Sequence, residues 1–105
     1  MTPTDPLNPK LQLTLDAERQ VASIDRMPLP LTKTEFRILN YLTGRPGETC
    51  SRRQIIDAVQ GEDYPVTERS VDVQMASIRK KLGPIGKQIQ TVRGAGFCYR
   101  PGGTN

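Results

Sequence analysis

Apolar and polar residues alternate with period two over Leu11-Gln12-Leu13-Thr14-Leu15, which predicts a half-buried strand. Asp16-Ala17-Glu18-Arg19 reads as a turn, Val21 to Ile24 as a second strand, and Asp25-Arg26 as a further turn. Met27 to Leu31 follows, confined to a sheet edge by Pro28 and Pro30, which lack an N–H for the ladder. The N-terminal third is therefore expected to be a small antiparallel sheet.

The period then changes to that of helices. Thr32-Lys33-Thr34-Glu35 has the spacing of a capping box, with Leu31 and Phe36 at the hydrophobic staple positions around it. Phe36, Leu39 and Leu42 continue at helical spacing beside Ile38, and Gly44 with Pro46 ends the run. Ser51-Arg52-Arg53-Gln54 is a second box, with Cys50 and Ile55 at its staple positions. Ile55, Ile56 and Val59 form the buried face behind it, and Gly61 is the stop. Residues 60–67 carry no periodicity and read as a loop. A third helix is expected from about Glu68 to Leu82, capped by Thr67 and closed by Gly83-Pro84. Its Val71, Met75, Ile78 and Leu82 fall within about 60° of one another at ~100° per residue, a single stripe. Ile89 to Val92 and Phe97 to Tyr99 are β runs around Arg93-Gly94-Ala95-Gly96, a hairpin with glycine where φ > 0 is needed.

At 105 residues, with 35% apolar residues, the chain can enclose one modest core. Residues 1–10, with Pro3, Pro6 and Pro9, read as a linker or disordered lead-in; 11–100 form the domain, and 101–105 a flexible tail. There is no His and only two cysteines, Cys50 and Cys98, so a cysteine or cysteine–histidine zinc site cannot be built within one chain. The same absence removes the commonest general base, and no nucleophile–base pair stands out; no enzyme and no cofactor is expected. Asp57, Glu62, Asp63 and Glu68 are better explained by cap, loop and turn roles than as a carboxylate cluster. No apolar run is long enough for a membrane span, and the N-terminus lacks the pattern of a signal peptide, so an intracellular, cytoplasmic domain is expected.

The net charge of +4 conceals a split. Residues 1–50 hold six Lys/Arg against six acids, whereas from Arg69 onward seven bases face one acid, Asp72. An excess of that kind suits a polyanion, either nucleic acid or an anionic membrane surface; a solvated cationic face that only keeps the domain soluble fits it too. Opposite its apolar stripe the third helix presents Arg69, Val73, Ala76 and Lys80, flanked by Ser77. Cations at both ends with small or apolar residues between suit a helix in the major groove, where Val73 or Ala76 meets a thymine methyl. Arg93, at a glycine-flanked tip, suits the negative potential of a minor groove. Arg79-Lys80-Lys81 suits phosphates. Gly94-Ala95-Gly96 is no nucleotide loop, because no helix follows it. Cys50 and Cys98 read as small hydrophobes.

Four stretches together resemble the OmpR/PhoB-type winged-helix domains. These are Leu31-Thr32-Lys33-Thr34-Glu35-Phe36-Arg37-Ile38-Leu39; Pro46-Gly47 leading to Ser51-Arg52; Glu68 to Met75 with Ile78 to Leu82; and Thr91-Val92-Arg93-Gly94-Ala95-Gly96-Phe97. The resemblance covers about residues 11 to 100. It implies an α+β winged helix-turn-helix fold: a four-stranded N-terminal antiparallel sheet, three helices and a C-terminal hairpin wing. It implies sequence-specific binding of double-stranded DNA as the output domain of a two-component response regulator, with a receiver domain in a longer parent chain. By position, Arg69, Ser70, Gln74 and Thr91 would contact phosphates, and Val73, Ser77 and Arg79 the major groove. Lys80 and Gly94 would join the DNA-binding set, with Arg93 in the minor groove. The loop holding Gln60, Glu62, Asp63 and Tyr64 would correspond to a segment that contacts RNA polymerase. Head-to-tail homodimers on direct repeats would be expected. Gln60, Gln74, Ala76 and Ser77 depart from the family, which commonly has Trp, His, Arg and Arg there. The thinned reading face leaves a rival function, a protein-interaction module on the same fold with weak or no DNA binding.

Overall fold

Alternation in the first strands and a 3.6-residue period in the middle are resolved as two small sheets packed with three helices around one core. The computed structural model describes residues 12–60 and 66–101. The expected lead-in 1–10, Leu11, residues 61–65 of the expected loop and residues 102–105 of the expected tail lie outside the described residues.

The first sheet has the order β1-β2-β3, all antiparallel, from Leu13–Asp16, Val21–Ile24 and Met27–Pro28. Leu13 pairs with Ile24 and Leu15 with Ala22, so one face packs on the core while Thr14 and Asp16 face outward. The third strand is only two residues long, and Leu29 instead donates its N–H to the Ala22 carbonyl. The turn between β2 and β3 holds Asp25 and Arg26 at φ of 51° and 73°, the two positive values a type I′ hairpin requires. No glycine is present there. Asp25 compensates by exchanging two hydrogen bonds with the Gln12 backbone, one through its side chain.

Helix α1, Lys33–Thr43, starts at the expected capping box: the Thr32 hydroxyl accepts from the Glu35 N–H, and the Glu35 carboxylate accepts from the Thr32 N–H. Helix α2, Arg52–Val59, has the second box, between Ser51 and Gln54. Helix α3 spans Glu68–Leu82 as expected, and its Thr67 cap forms a box with Ser70. Phe36, Ile38, Leu39 and Leu42 of α1, Ile55, Ile56 and Val59 of α2, and Val71, Met75, Ile78 and Leu82 of α3 make the core. Burial of these side chains, at roughly 25 cal/mol per Å² of apolar surface, is what holds the three helices together.

A 3-10 segment, Gly83–Gln88, follows α3 and places Ile85 against the core. Strands β5, Ile89–Val92, and β6, Gly96–Tyr99, pair with Val92 opposite Gly96, which leaves Arg93, Gly94 and Ala95 at the tip. The four-stranded N-terminal sheet is corrected here: among the described residues that sheet has three strands. A further short strand, Thr49–Cys50, precedes α2 and pairs with β6 (it is β4 in chain order), giving a second sheet ordered β4-β6-β5. The reason lies in the connection. The chain leaving α1 through Arg45-Pro46-Gly47 is tied to the hairpin by the Gly47 N–H, which bonds the Tyr99 carbonyl at 2.8 Å.

Candidate nucleic-acid interface

The apolar stripe of α3 is fully committed to the core, so the opposite side must face out. Arg69, Val73, Ala76 and Lys80 are all exposed, and Val73 is 63% exposed despite its apolar side chain. Isolated surface valines need no explanation. This one, however, lies between two cations on a helix whose last turn also carries Arg79 and Lys81. Those last-turn bases complement the negative C-terminal end of the helix dipole.

The two flanks of α3 are held by different partners. On the α1 side, the Glu35 carboxylate is almost wholly buried and accepts three hydrogen bonds: from the Thr32 N–H at 2.9 Å, the Lys81 ammonium at 2.8 Å and the Ser77 hydroxyl at 2.5 Å. Ser77 and Lys81 are four residues apart and so share that flank. Ser77 is half-buried and donates inward, so the structure does not bring it to the exposed face with Val73 and Lys80. Burial alone would push the Glu35 carboxyl up. The hydrogen bonds from Lys81, Ser77 and the Thr32 backbone, with the Lys81 charge, outweigh burial and hold it below its ordinary 4.5.

A folded-state value below the ordinary one means that the fold favours the carboxylate. Its stabilisation is present above about 4.5 and is lost as the pH falls through the folded-state value. Glu35→Gln is therefore expected to lose about 2–3 kcal/mol at neutral pH, since it breaks a buried ion pair whose Lys81 partner retains some access to water. Urea unfolding at several pH values checks this. The gap between variant and parent should close below pH 4.5, and a gap independent of pH would refute the assignment.

The other flank faces α2 and the hairpin. The Arg52 guanidinium pairs with Asp72 at 2.7 Å, so the single acid of the basic half is already balanced by α2. Arg79 turns away from the exposed face as well. Its Nε donates to the Ile89 carbonyl at 3.0 Å and its Nη2 to the Thr91 hydroxyl at 2.7 Å. The Arg52 and Arg79 guanidiniums lie 5.1 and 5.7 Å from the centre of the Phe97 ring. Burial draws the Arg79 pKa down, yet guanidinium remains charged at any physiological pH. Arg79 thus bridges α3 to β5.

The Ser70 hydroxyl is engaged in the α3 cap, where it accepts from the Thr67 N–H and donates to the Thr67 carbonyl. Gln74 is half-buried on the same side of the helix as Ser77. Thr91 is exposed on β5, and Arg93 and Gly94 stand exposed at the hairpin tip, Gly94 with φ of 75°. No described acid pairs with Arg93. Gln60 is exposed and caps α2, while Glu62, Asp63 and Tyr64 lie outside the described residues. Cys50 and Cys98 are buried and unpaired, and burial pushes the Cys50 thiol up, the behaviour of a packing residue rather than a nucleophile. Glu35, Arg52 and Asp72 carry no expected role in this region, and Lys81, expected at phosphates with Arg79 and Lys80, is instead paired with Glu35. Ser77 and Lys81 at i and i+4 were the available signal for the first network; nothing local signals the second.

Two successive helices, the second with an exposed basic face, followed by a hairpin with an arginine at its tip, define a winged helix-turn-helix fold. The profile described as "Transcriptional regulatory protein, C terminal" matches residues 26–99. The chain belongs to this family, the OmpR/PhoB-type winged-helix DNA-binding domains of response regulators. Among similar proteins, response regulator ArlR of Staphylococcus saprophyticus is 39% identical over 90 residues, 84% of this chain and 41% of its own length. The phosphate regulon transcriptional regulatory protein PhoB of Rhizobium meliloti is 40% identical over 87 residues, 81% of this chain and 38% of its own length. The chain therefore spans about two fifths of these relatives. The crystal structure of the response regulator AdeR DNA-binding domain in complex with an intercistronic region superposes with a TM-score of 0.73 at 26% identity, covering 85% of this chain and 94% of that one. The family is one of transcription regulators, not enzymes. No described helix is long and apolar enough to cross a membrane.

Proposed function

We propose that this domain is the output module of a two-component response regulator and binds a specific double-stranded DNA sequence. The α3 face would enter the major groove and the hairpin tip the adjacent minor groove. One observation carries the reading: the cations Arg69 and Lys80 of α3 and Arg93, with no described acidic partner, are exposed on elements that the Arg79–Thr91 bond ties together, while the acid among them, Asp72, is balanced by Arg52. That the AdeR domain was solved on DNA supports it.

In this reading Arg69, Lys80 and Arg93 meet the nucleic acid directly, Val73 contacts base edges, and Gln74 and Thr91 meet phosphates, as would Ser70 if its hydroxyl turns from the Thr67 carbonyl to the phosphate. Gly94 lets the tip approach closely. Ser77 and Arg79 serve through the contacts they make inside the domain. A receiver domain would precede the segment 1–10 in a cytoplasmic parent chain, and the loop after Gln60 would offer its surface to RNA polymerase. Head-to-tail pairing on direct repeats would extend the site.

Selection of bound sequences from a random duplex library, followed by a salt titration on the winner, tests the function. Three direct cationic contacts predict a log–log slope near roughly −3, since each neutralised phosphate contributes about −0.9. Weak binding that stays flat from low to moderate salt would overturn the reading.

A further inference from the structure

The inference rests on the DNA-binding reading and concerns Arg79, which sits on the third helix among the bases that carry it. We propose that Arg79 is a positioning residue that never leaves the domain: it aligns the Thr91 hydroxyl so that its proton is donated to a DNA phosphate.

The geometry is specific. A threonine hydroxyl has one proton and can accept through its lone pairs. Thr91 accepts from the Arg79 Nη2 at 2.7 Å, which occupies an acceptor position and leaves the O–H free to donate. Thr91 is exposed on β5, next in line toward the tip that holds Arg93. A hydroxyl that already accepts from a cation is polarised and becomes a stronger donor to an anion. The second arm of the fork, Nε to the Ile89 carbonyl at 3.0 Å, sets the register between α3 and β5.

The rest of the neighbourhood keeps Arg79 where it is. Its guanidinium lies over the Phe97 ring, which β6 supplies from the same sheet. Its backbone is pressed by the 3-10 segment: a methyl group on Gly86 would stand 2.5 Å from the Arg79 carbonyl oxygen. To reach a groove, Arg79 would have to abandon two hydrogen bonds and its ring contact, leaving the Ile89 carbonyl without its donor. A lysine could supply the charge but not the planar fork that reaches a carbonyl and a hydroxyl together.

The experiment is a double-mutant cycle on the 105-residue chain, using the duplex selected from the random library, with folding of each variant followed by circular dichroism. Arg79→Lys and Thr91→Val are each expected to weaken binding by about tenfold, the value of one charge-assisted hydrogen bond. The double variant should be no weaker than the worse single one, because both changes remove the same phosphate contact. Thr91→Ser restores a hydroxyl and should regain most of the affinity lost in Thr91→Val. Wild-type affinity in Arg79→Lys would show that the fork does not position Thr91, and losses that multiply in the double variant would mean that Arg79 touches DNA itself; either result would overturn the proposal. Failure of the underlying reading looks different: the parent chain itself would select no duplex.

Discussion

Gly96→Ala is expected to cost about 3–5 kcal/mol of folding stability, a large part of the ~5–15 kcal/mol that domains of this size possess. Gly96 opens β6 opposite Val92, at a φ of 143°. A methyl group there would collide with the Cys50 carbonyl oxygen and stand 2.8 Å from both the Cys50 carbonyl carbon and the Ser51 Cα. All three atoms are backbone, in β4 and in the cap of α2, so no rotamer change relieves the overlap. Either β6 moves away from β4 or the start of α2 shifts, and α2 carries three core residues. Urea unfolding should show the midpoint falling by roughly 1–3 M. Gly94→Ala is the internal comparison. Its φ of 75° is also disfavoured, but its added methyl would meet nothing within 4 Å, so about 1 kcal/mol is expected. Equal small losses at both positions would show that the hairpin does not press on the start of α2 as described.

The contrast between these two glycines shows what was legible in the sequence. Both read as turn residues, and that is all local chemistry can say of them. That Gly96 is required by the distant backbone of Cys50 and Ser51 depends on β4–β6 pairing, and a two-residue strand such as Thr49–Cys50 has no periodicity to announce it. Cys50 was legible as a staple residue beside Ile55 because a staple is local. The helices were legible in full: the α3 stripe and all three caps are local patterns, and they reappear at the expected residues. The candidate site was legible at its centre and not at its edges. Arg69, Val73 and Lys80 lie directly opposite the stripe, so the helical wheel alone exposes them. Ser77 and Arg79 lie on the two flanks, where exposure depends on which neighbour folds against each side. A wheel cannot tell that α1 brings a buried carboxylate to one flank and β5 a carbonyl and a hydroxyl to the other. The sheet implied by resemblance differs for a related reason, because the order of very short strands is set by the connection rather than by their own residues.

Arg93→Ala is expected to weaken binding to the selected duplex by about 10–100-fold, as removal of a groove-inserted arginine costs ~1–3 kcal/mol. The side chain stands at a three-residue tip whose turn is closed by the Ala95 N–H on the Val92 carbonyl at 2.8 Å, so it projects from a short, well-tied support. Little conformational entropy remains to be lost by the backbone on binding. Arg93→Lys should recover only part of the loss, because ammonium holds its water more tightly than guanidinium and enters a narrow groove at greater cost. The salt slope should return to the parental value in Arg93→Lys and fall by about 0.9 in Arg93→Ala. The groove can be assigned by base analogues. Inosine·cytosine pairs lack the guanine 2-amino group, so their minor groove resembles that of A·T while their major groove resembles that of G·C. Replacing A·T by inosine·cytosine beneath the tip should leave the Arg93 contribution intact, whereas the same exchange beneath α3 should remove the Val73 contact with a thymine methyl. Sensitivity beneath the tip equal to that beneath the helix would place Arg93 in the major groove, and the two-groove arrangement would fall with it.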